Sequence, residues 1–536
     1  DGTQMKYEAF VSGWQATKIT DRNGNYISIN YYTNTGDIQN ITDTLGRVIT
    51  FEYVNGKLNR LLQNWNGGLH EWATFGWTTE WFTPNFSLTA AGAYSGVAAL
   101  TQVGLPDGSY YTFDYAVAGQ VKDIHRFSSD HVQRSSMAYD YTSPTDDCPR
   151  IYQTRASVDH WTGYNGVPAE LTTQFLVYTN GWYQTILPDG TAYQEYYGSG
   201  WQKGLVLSTE TWVRPDPNSS YARQKVTATQ WTQDNESVSY QTNPRVKQTD
   251  IYDASWNDRR TTIDYQGPFG LPATITEFNA DASTPLRRTV LEYKTDSYYN
   301  SRRLVGLLAT KTVYDTNSNV VARTSYDYDA QGAIQSQAQY ATQHDSGYDA
   351  SFLLRGNVTS ITRWDASDPN NQSKRLINNM TYDVAGNLLT TTDAGNPTRH
   401  TSTISYADQF SDSSNHNTFA YPTTLTDADG YSSYVQYNFD FGLKTLVTTP
   451  QPNGISNTAG PQQLIEYDSA LQTQRVTSLS TGAYIRYLYG ADYVEELHSE
   501  KISLTTRSPR NGSTARAILM QWPRTIPALR AAIKRS

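Results

Sequence analysis

The sequence predicts an all-β protein in which tandem antiparallel β-hairpins join edge to edge into one continuous curled sheet or spiral. Three observations lead there. Residues 380–396 read Met-Thr-Tyr-Asp-Val-Ala-Gly-Asn-Leu-Leu-Thr-Thr-Thr-Asp-Ala-Gly-Asn, two Asp-to-Gly turn signals flanking a β-prone run of ordinary strand length. Gly36, Gly46 and Gly56 follow one another at a spacing of ten. Between such glycines, apolar and polar residues alternate with period two, as in 27–31, Ile-Ser-Ile-Asn-Tyr.

In chain order, the turn 20–24 (Thr-Asp-Arg-Asn-Gly) opens that first run. Strands are then expected over 38–42 and 48–53, with Asp43 and Gly46 between them and Ile49, Phe51 and Tyr53 on one face. Residues 63–104 depart from the pattern. Trp72, Phe75, Trp77, Trp81 and Phe82 cluster there, and we read an inserted or expanded repeat whose rings chiefly pack between strands. Leu-Pro-Asp-Gly occurs at 105–108 and again at 187–190. Residues 266–272, Gln-Gly-Pro-Phe-Gly-Leu-Pro, read as a loop joining two repeat blocks. Residues 301–494 carry the best-preserved repeats, interrupted by polar loops at 365–374 and 411–417. In all, eight Tyr-Asp pairs begin at Tyr139, Tyr252, Tyr314, Tyr326, Tyr328, Tyr348, Tyr382 and Tyr467. Strand structure is expected from about residue 5 to about 494, with turns at Gly24, Gly36, Gly46, Gly386, Gly395 and Gly430. The β body is assigned to 1–498 and a basic, non-repeat, disordered tail to 499–536. From Lys501 onward there are eight basic residues and no acidic one.

Composition agrees. The 536 residues include 41 Tyr against 15 Phe, and only 17% are charged, which suits sheets with half-wet faces. A lone hairpin buries too little apolar surface to offset its ordering entropy. Added edge to edge, hairpins share one buried row, and strand twist makes the long sheet curl. The net charge of −9 lacks the basic footprint of nucleic-acid binding. No apolar run reaches the ~20 residues of a membrane helix. The chain opens on Asp1 without a signal-type pattern, so a fragment or processed product is expected.

These residues resemble the RHS or YD-repeat family of bacterial wall-associated proteins, polymorphic toxins, toxin-complex C components and the teneurins. The resemblance runs from about residue 19 to about 494 and is clearest at 19–60 and 380–445. It implies a spiral forming at least part of a hollow shell around a polypeptide cargo, in a secreted or cell-surface protein. The toxin-bearing members end their core on an Asp-Pro-x-Gly self-cleavage motif. Here Asp216-Pro217 is followed by Asn218-Ser219 and Asp368-Pro369 by Asn370-Asn371, so neither site matches.

No catalytic, cofactor-binding or metal-binding residue is assigned. Asp21-x-Asn23-x-Asn25 resembles the start of a calcium loop, but its sixth and twelfth positions are Tyr26 and Tyr32 rather than Gly and Glu. Asp427-x-Asp429 fails likewise. His125 and His131, with Asp123 and Asp130 nearby, are placed on opposite strand faces or in a loop with no third ligand, and read as scattered surface histidines. Cys148 is the single cysteine and has no partner for nucleophilic chemistry. The expected function is a non-enzymatic scaffold in surface interaction or in a shell enclosing a C-terminal cargo. The partners expected are a polypeptide cargo or a cell-surface or carbohydrate partner, with no nucleic acid and no membrane span. The alternative is a carbohydrate-binding module or carbohydrate-active enzyme. A sugar platform would require several solvent-facing rings among Trp72, Trp77 and Trp81, and an enzyme would require two carboxylates roughly 5–10 Å apart in a concave site.

Overall fold

The strands that alternation marks all form, and they form one meander. The structure, a computed structural model, describes residues 1–65, 67–86, 90–91, 94–143, 149–158, 170–178, 181–214, 216, 219–280, 282–368, 371–393, 400–451, 460–490 and 494–499. Among them, 35 strands belong to a single sheet, running from Gln4–Phe10 to Val494–Ser499. Each strand pairs antiparallel with its neighbours in sequence, apart from a small side hairpin at 85–91 and one parallel pairing described below. The sheet is not closed into a barrel. The tail beyond 499, Cys148 and Gly395 lie outside the described residues.

One turn geometry recurs at the hairpin ends. At 21–25 the Asp21 N–H donates to Asn25 O (2.9 Å) and the Gly24 N–H to Asp21 O (3.2 Å). The Asp21 carboxylate meanwhile accepts the N–H groups of Asn23 and Asn25 at 2.8 and 2.9 Å. This is a three-residue hairpin loop whose last position must be left-handed. The same bonds recur at 43–47, 253–257, 315–319, 383–387, 427–431 and 468–472. Glycine fills the left-handed position at Gly24, Gly46, Gly386 and Gly430, whereas Trp256, Ser318 and Leu471 fill it elsewhere with φ of +65°, +64° and +61°. The turn therefore outlives its glycine, which is why the repeat looks eroded in the sequence.

Tyrosine marks the opposite requirement. Tyr31, Tyr115, Tyr141, Tyr265, Tyr328, Tyr382, Tyr437 and Tyr467 each stand at a β-bulge near a strand end. The bulge turns the ring back over the preceding strand, so that the hydroxyl donates to a carbonyl there: Tyr31 to Ala16 (2.9 Å), Tyr115 to Leu100 (2.7 Å), Tyr265 to Val246 (2.6 Å), Tyr382 to Val358 (2.6 Å). Each ring covers apolar sheet surface while its polar tip is satisfied. Only three of these eight belong to Tyr-Asp pairs. The repeating element is the bulged tyrosine; the Tyr139-Asp140 pair is mid-strand and Tyr348-Asp349 sits in a loop.

Two expectations need correction, and one takes definite form. Residues 266–272 do not join two blocks: Asp258–Gln266 and Leu271–Phe278 are consecutive hairpin strands, with Tyr265 opposite Pro272. The departure at 63–104 takes the form of an expanded repeat, a long hairpin of Gly68–Phe82 against Tyr94–Gly104 built into the meander. The segment after Tyr328 is not a repeat. Residues 329–357 leave the sheet as a strap, and their short strand Ile334–Gln335 pairs parallel with Tyr382 and Asp383.

The fully buried apolar residues concentrate at this strap and beside it. Ile334, Ala338, Ala341 and Val384 form one cluster, packed by Leu353, Tyr382 and Phe419. Phe410, Val435 and Tyr437 form a second, packed by Tyr421, Phe439 and Val447. The ladder supplies the sheet, and the strap region supplies the core.

Candidate functional site

The strap occupies a seam where distant parts of the meander meet rim to rim. The Asp1 ammonium donates to Arg303 O (3.1 Å) across 302 residues, and Lys18 Nζ lies 3.4 Å from Asp345 across 327. Asn25 Nδ2 donates to Ala385 O (2.8 Å) across 360 residues. Arg47 Nη1 donates to Asp440 O (3.2 Å) across 393, and Gln63 Nε2 to the same carbonyl (2.7 Å) across 377. Trp65 packs edge-on against Phe441, with centroids 4.9 Å apart. As the first partner advances along the chain, the second advances or holds its place. The sheet thus makes one revolution and its second turn runs beneath the first in the same direction.

Between the turns 21–25 and 383–387 lie roughly two dozen ladder strands at about 4.8 Å each, or about 110 Å of contour. Bent into a circle, that contour is about 35 Å across.

At the centre of the seam is Arg355, fully buried. Its Nε donates to Phe352 O (2.9 Å), Nη1 to Asn23 O (2.8 Å) and Val384 O (2.6 Å), and Nη2 to Tyr348 O (2.6 Å) and Asp349 O (2.8 Å). One planar fork therefore ties the first turn of the spiral, the second turn and the strap. Burial holds this guanidinium below its ordinary pKa, with Asp329 opposing the shift. Asp329 orders the same loop by accepting the N–H groups of Arg355, Gly356 and Asn357 at 3.0, 2.7 and 2.9 Å, and the Tyr299 hydroxyl at 3.0 Å. Burial raises the pKa of Asp329 and of Asp383, in each case against hydrogen bonds that pull it down. His344 Nε2 lies 3.1 Å from both Asn23 O and Val384 O.

Of this seam, the sequence drew attention as a candidate site only to the turn 21–25, weighed as a calcium loop and set aside. Arg355 stands in Leu-Leu-Arg-Gly-Asn, which has no repeat signature, and its partners are backbone carbonyls that no side-chain pattern reveals.

Of the residues weighed from sequence, the turn Asp21, Asn23 and Asn25 lies on the seam, and the others fall elsewhere. The Asp21 carboxylate is occupied by turn amides and by Asn25 Nδ2 (2.9 Å), so the turn reading holds. Trp72 stacks on Trp65 at 6.0 Å and its indole N–H donates to Gln63 (2.9 Å). Trp77 is 38% exposed, with its N–H on Leu58 O (2.7 Å), and Trp81 is 70% exposed. Two of the three rings, Trp77 and Trp81, are thus exposed, while Trp72 is engaged by its neighbours. Asp130 is taken by Arg134 (2.7 Å), and His131 sits in the turn 128–132 with Nδ1 3.4 Å from the Tyr110 hydroxyl. Asp123 and His125, in contrast, share one face of Val121–Phe127, and Asp114 of the neighbouring strand comes beside them. A third candidate ligand exists after all. It was missed because strand pairing, not sequence spacing, supplies it.

No family model matches the chain, and no curated relative matches it. Among solved structures it is similar to the crystal structure of TcdB2-TccC3, at 12% identity and a TM-score of 0.39, over 91% of this chain and 22% of that one. It is similar also to a Photorhabdus luminescens Tc holotoxin pore, at 13% identity and 0.37, over 93% and 21%. A porin-like protein from Bacteroides uniformis aligns at 10% identity and 0.18, over 55% and 89%. The chain spans about a fifth of the length of the first two.

Proposed function

We propose that this chain is a non-enzymatic RHS/YD-repeat scaffold: a stretch of shell wall of a secreted or cell-surface bacterial protein, built to surround a polypeptide cargo. The observation that carries this reading is the rim-to-rim seam. A sheet that winds once and rests on its own next turn is a wall around a lumen, and one whose contour is about 35 Å across leaves about 25 Å after side chains on both sides. That width admits an extended or partly folded polypeptide. The non-enzymatic part rests on the engaged state of the carboxylates: those of the recurrent turns accept backbone amides, and Asp329 is saturated by the loop it orders.

The test is protection. A protease-sensitive polypeptide fused after residue 536 and expressed with the chain is expected to resist digestion under native conditions and to be cut once the shell is denatured. Digestion at the rate of the free polypeptide would remove the cargo role and leave surface interaction. The exposed Trp81 favours a second reading, a carbohydrate-binding surface. Retention on a glycan array, abolished by Trp81→Ala, would establish it, and hydrolysis of plain polysaccharides would make the chain an enzyme.

A further inference from the structure

We propose that Asp114, Asp123 and His125 form a binding site for a divalent transition metal of the zinc class, clamping the neighbouring strands Tyr110–Tyr115 and Val121–Phe127. Register places Asp114 directly opposite Asp123, and Thr112 opposite His125. Alternation then keeps all four side chains on one face, with His125 diagonal to Asp114. One donor atom from each of the three ligands lies within 4.8 Å of the others, near enough for small side-chain rotations to bring them to the separation of about 3.4 Å that donors take around a tetrahedral ion with bonds of about 2.1 Å.

Two observations favour a cation here. Like charges directly opposite in a sheet repel, and this pair faces each other with no backbone amide turned on it as at the Asp turns. Instead Asp114 meets His125 Nε2 at 3.2 Å and Asp123 meets Lys122 Nζ at 3.6 Å. Further, His125 Nδ1 is closed to solvent and has no hydrogen-bond partner, so Nε2 is the nitrogen the ring presents to the carboxylates. One imidazole nitrogen and two carboxylate oxygens suit zinc, nickel or copper, whereas calcium and magnesium call for a larger all-oxygen set. Three protein ligands leave a coordination position for water. Because no acceptor orients Nδ1, binding is expected to be weaker than in a closed structural site.

The test is calorimetric titration of ZnCl2 into the full chain, with thermal melting alongside. Wild type is expected to take up one equivalent and melt higher. His125→Ala and Asp114→Asn should each weaken uptake by about tenfold or more, while His131→Ala leaves it unchanged and MgCl2 does not compete. Asp114 is an exposed strand residue, so its isosteric replacement keeps the fold and decides the matter even if the histidine variant misfolds. Absence of saturable uptake overturns the proposal. So does uptake that Asp114→Asn leaves intact, which would place the zinc at another histidine such as His416 or His498.

Discussion

Gly386 and Gly56 both hold left-handed backbone, at φ of +88° and +71°, yet they answer to different constraints. Around Gly56 nothing stands within 4 Å of where a Cβ would be, whereas at Gly386 a Cβ would strike the Asn23 side chain of the overlying turn. Alanine at either position incurs the left-handed penalty of about 1–2 kcal/mol. Only Gly386→Ala adds overpacking, of about 1–3 kcal/mol. The melting temperature is expected to fall distinctly further for Gly386→Ala than for Gly56→Ala; equal falls would mean that the seam yields freely at this point. At the same scale, Tyr382→Phe removes one hydroxyl bond to Val358 and should lower stability by about 1 kcal/mol in a denaturant titration. No change would show that packing of the ring, not the bond, fixes tyrosine there.

At the scale of elements, the strap 329–357 depends on Arg355. The substitution Arg355→Met leaves Phe352 O and Tyr348 O without their donor and takes one of two neighbouring donors from Asn23 O, Val384 O and Asp349 O, and the expected loss is about 3–5 kcal/mol. The substitution Arg355→Lys restores little, since an ammonium has three donors and no fork. Hydrogen exchange on Arg355→Lys should rise first at 21–26, 343–357 and 383–387, while the ladder strands between stay protected. Uniform exchange across the sheet would mean that the seam and the ladder are one cooperative unit. Strands and turns were legible in the sequence because alternation and Asp-to-Gly spacing are local. The 38–42 strand forms as Ile38–Thr42, and the 48–53 strand gains one residue as Val48–Val54. The strap was not legible, because Tyr-Asp at 328–329 looks like any other turn while Asp329 bonds to amides 26–28 residues away. The Asp114 to Asp123 pairing was hidden for the same reason: it exists only once two strands are set in register.

At the scale of the whole molecule, the tyrosines give the sheet an alkaline limit. Burial, and next the neighbouring Tyr326, push Tyr328 up to about 12, and burial raises Tyr382, Tyr437 and Tyr467 in the same direction. In the unfolded chain these phenols titrate near 10. The folded state therefore holds their protons more tightly. Its advantage is whole below about pH 10 and is lost as the pH climbs through about 12. The last part of the rise in tyrosinate absorbance and the loss of the β signal in circular dichroism are expected to fall together in that window. Ionisation of all 41 phenols near pH 10 with the β signal intact would contradict the raised tyrosines and their hydroxyl bonds.

The seam also sets a schedule for synthesis. Asn25 finds Ala385 only after 360 further residues have been made. At bacterial elongation rates of about 5–20 residues per second, the rim at 21–25 waits about 20–70 s for its counterpart. During that interval the hairpins pair locally with their neighbours, but the wall has no floor to rest on. A nascent chain arrested near residue 330 should thus expose the 21–47 turns to protease, and one released past residue 440 should shield them.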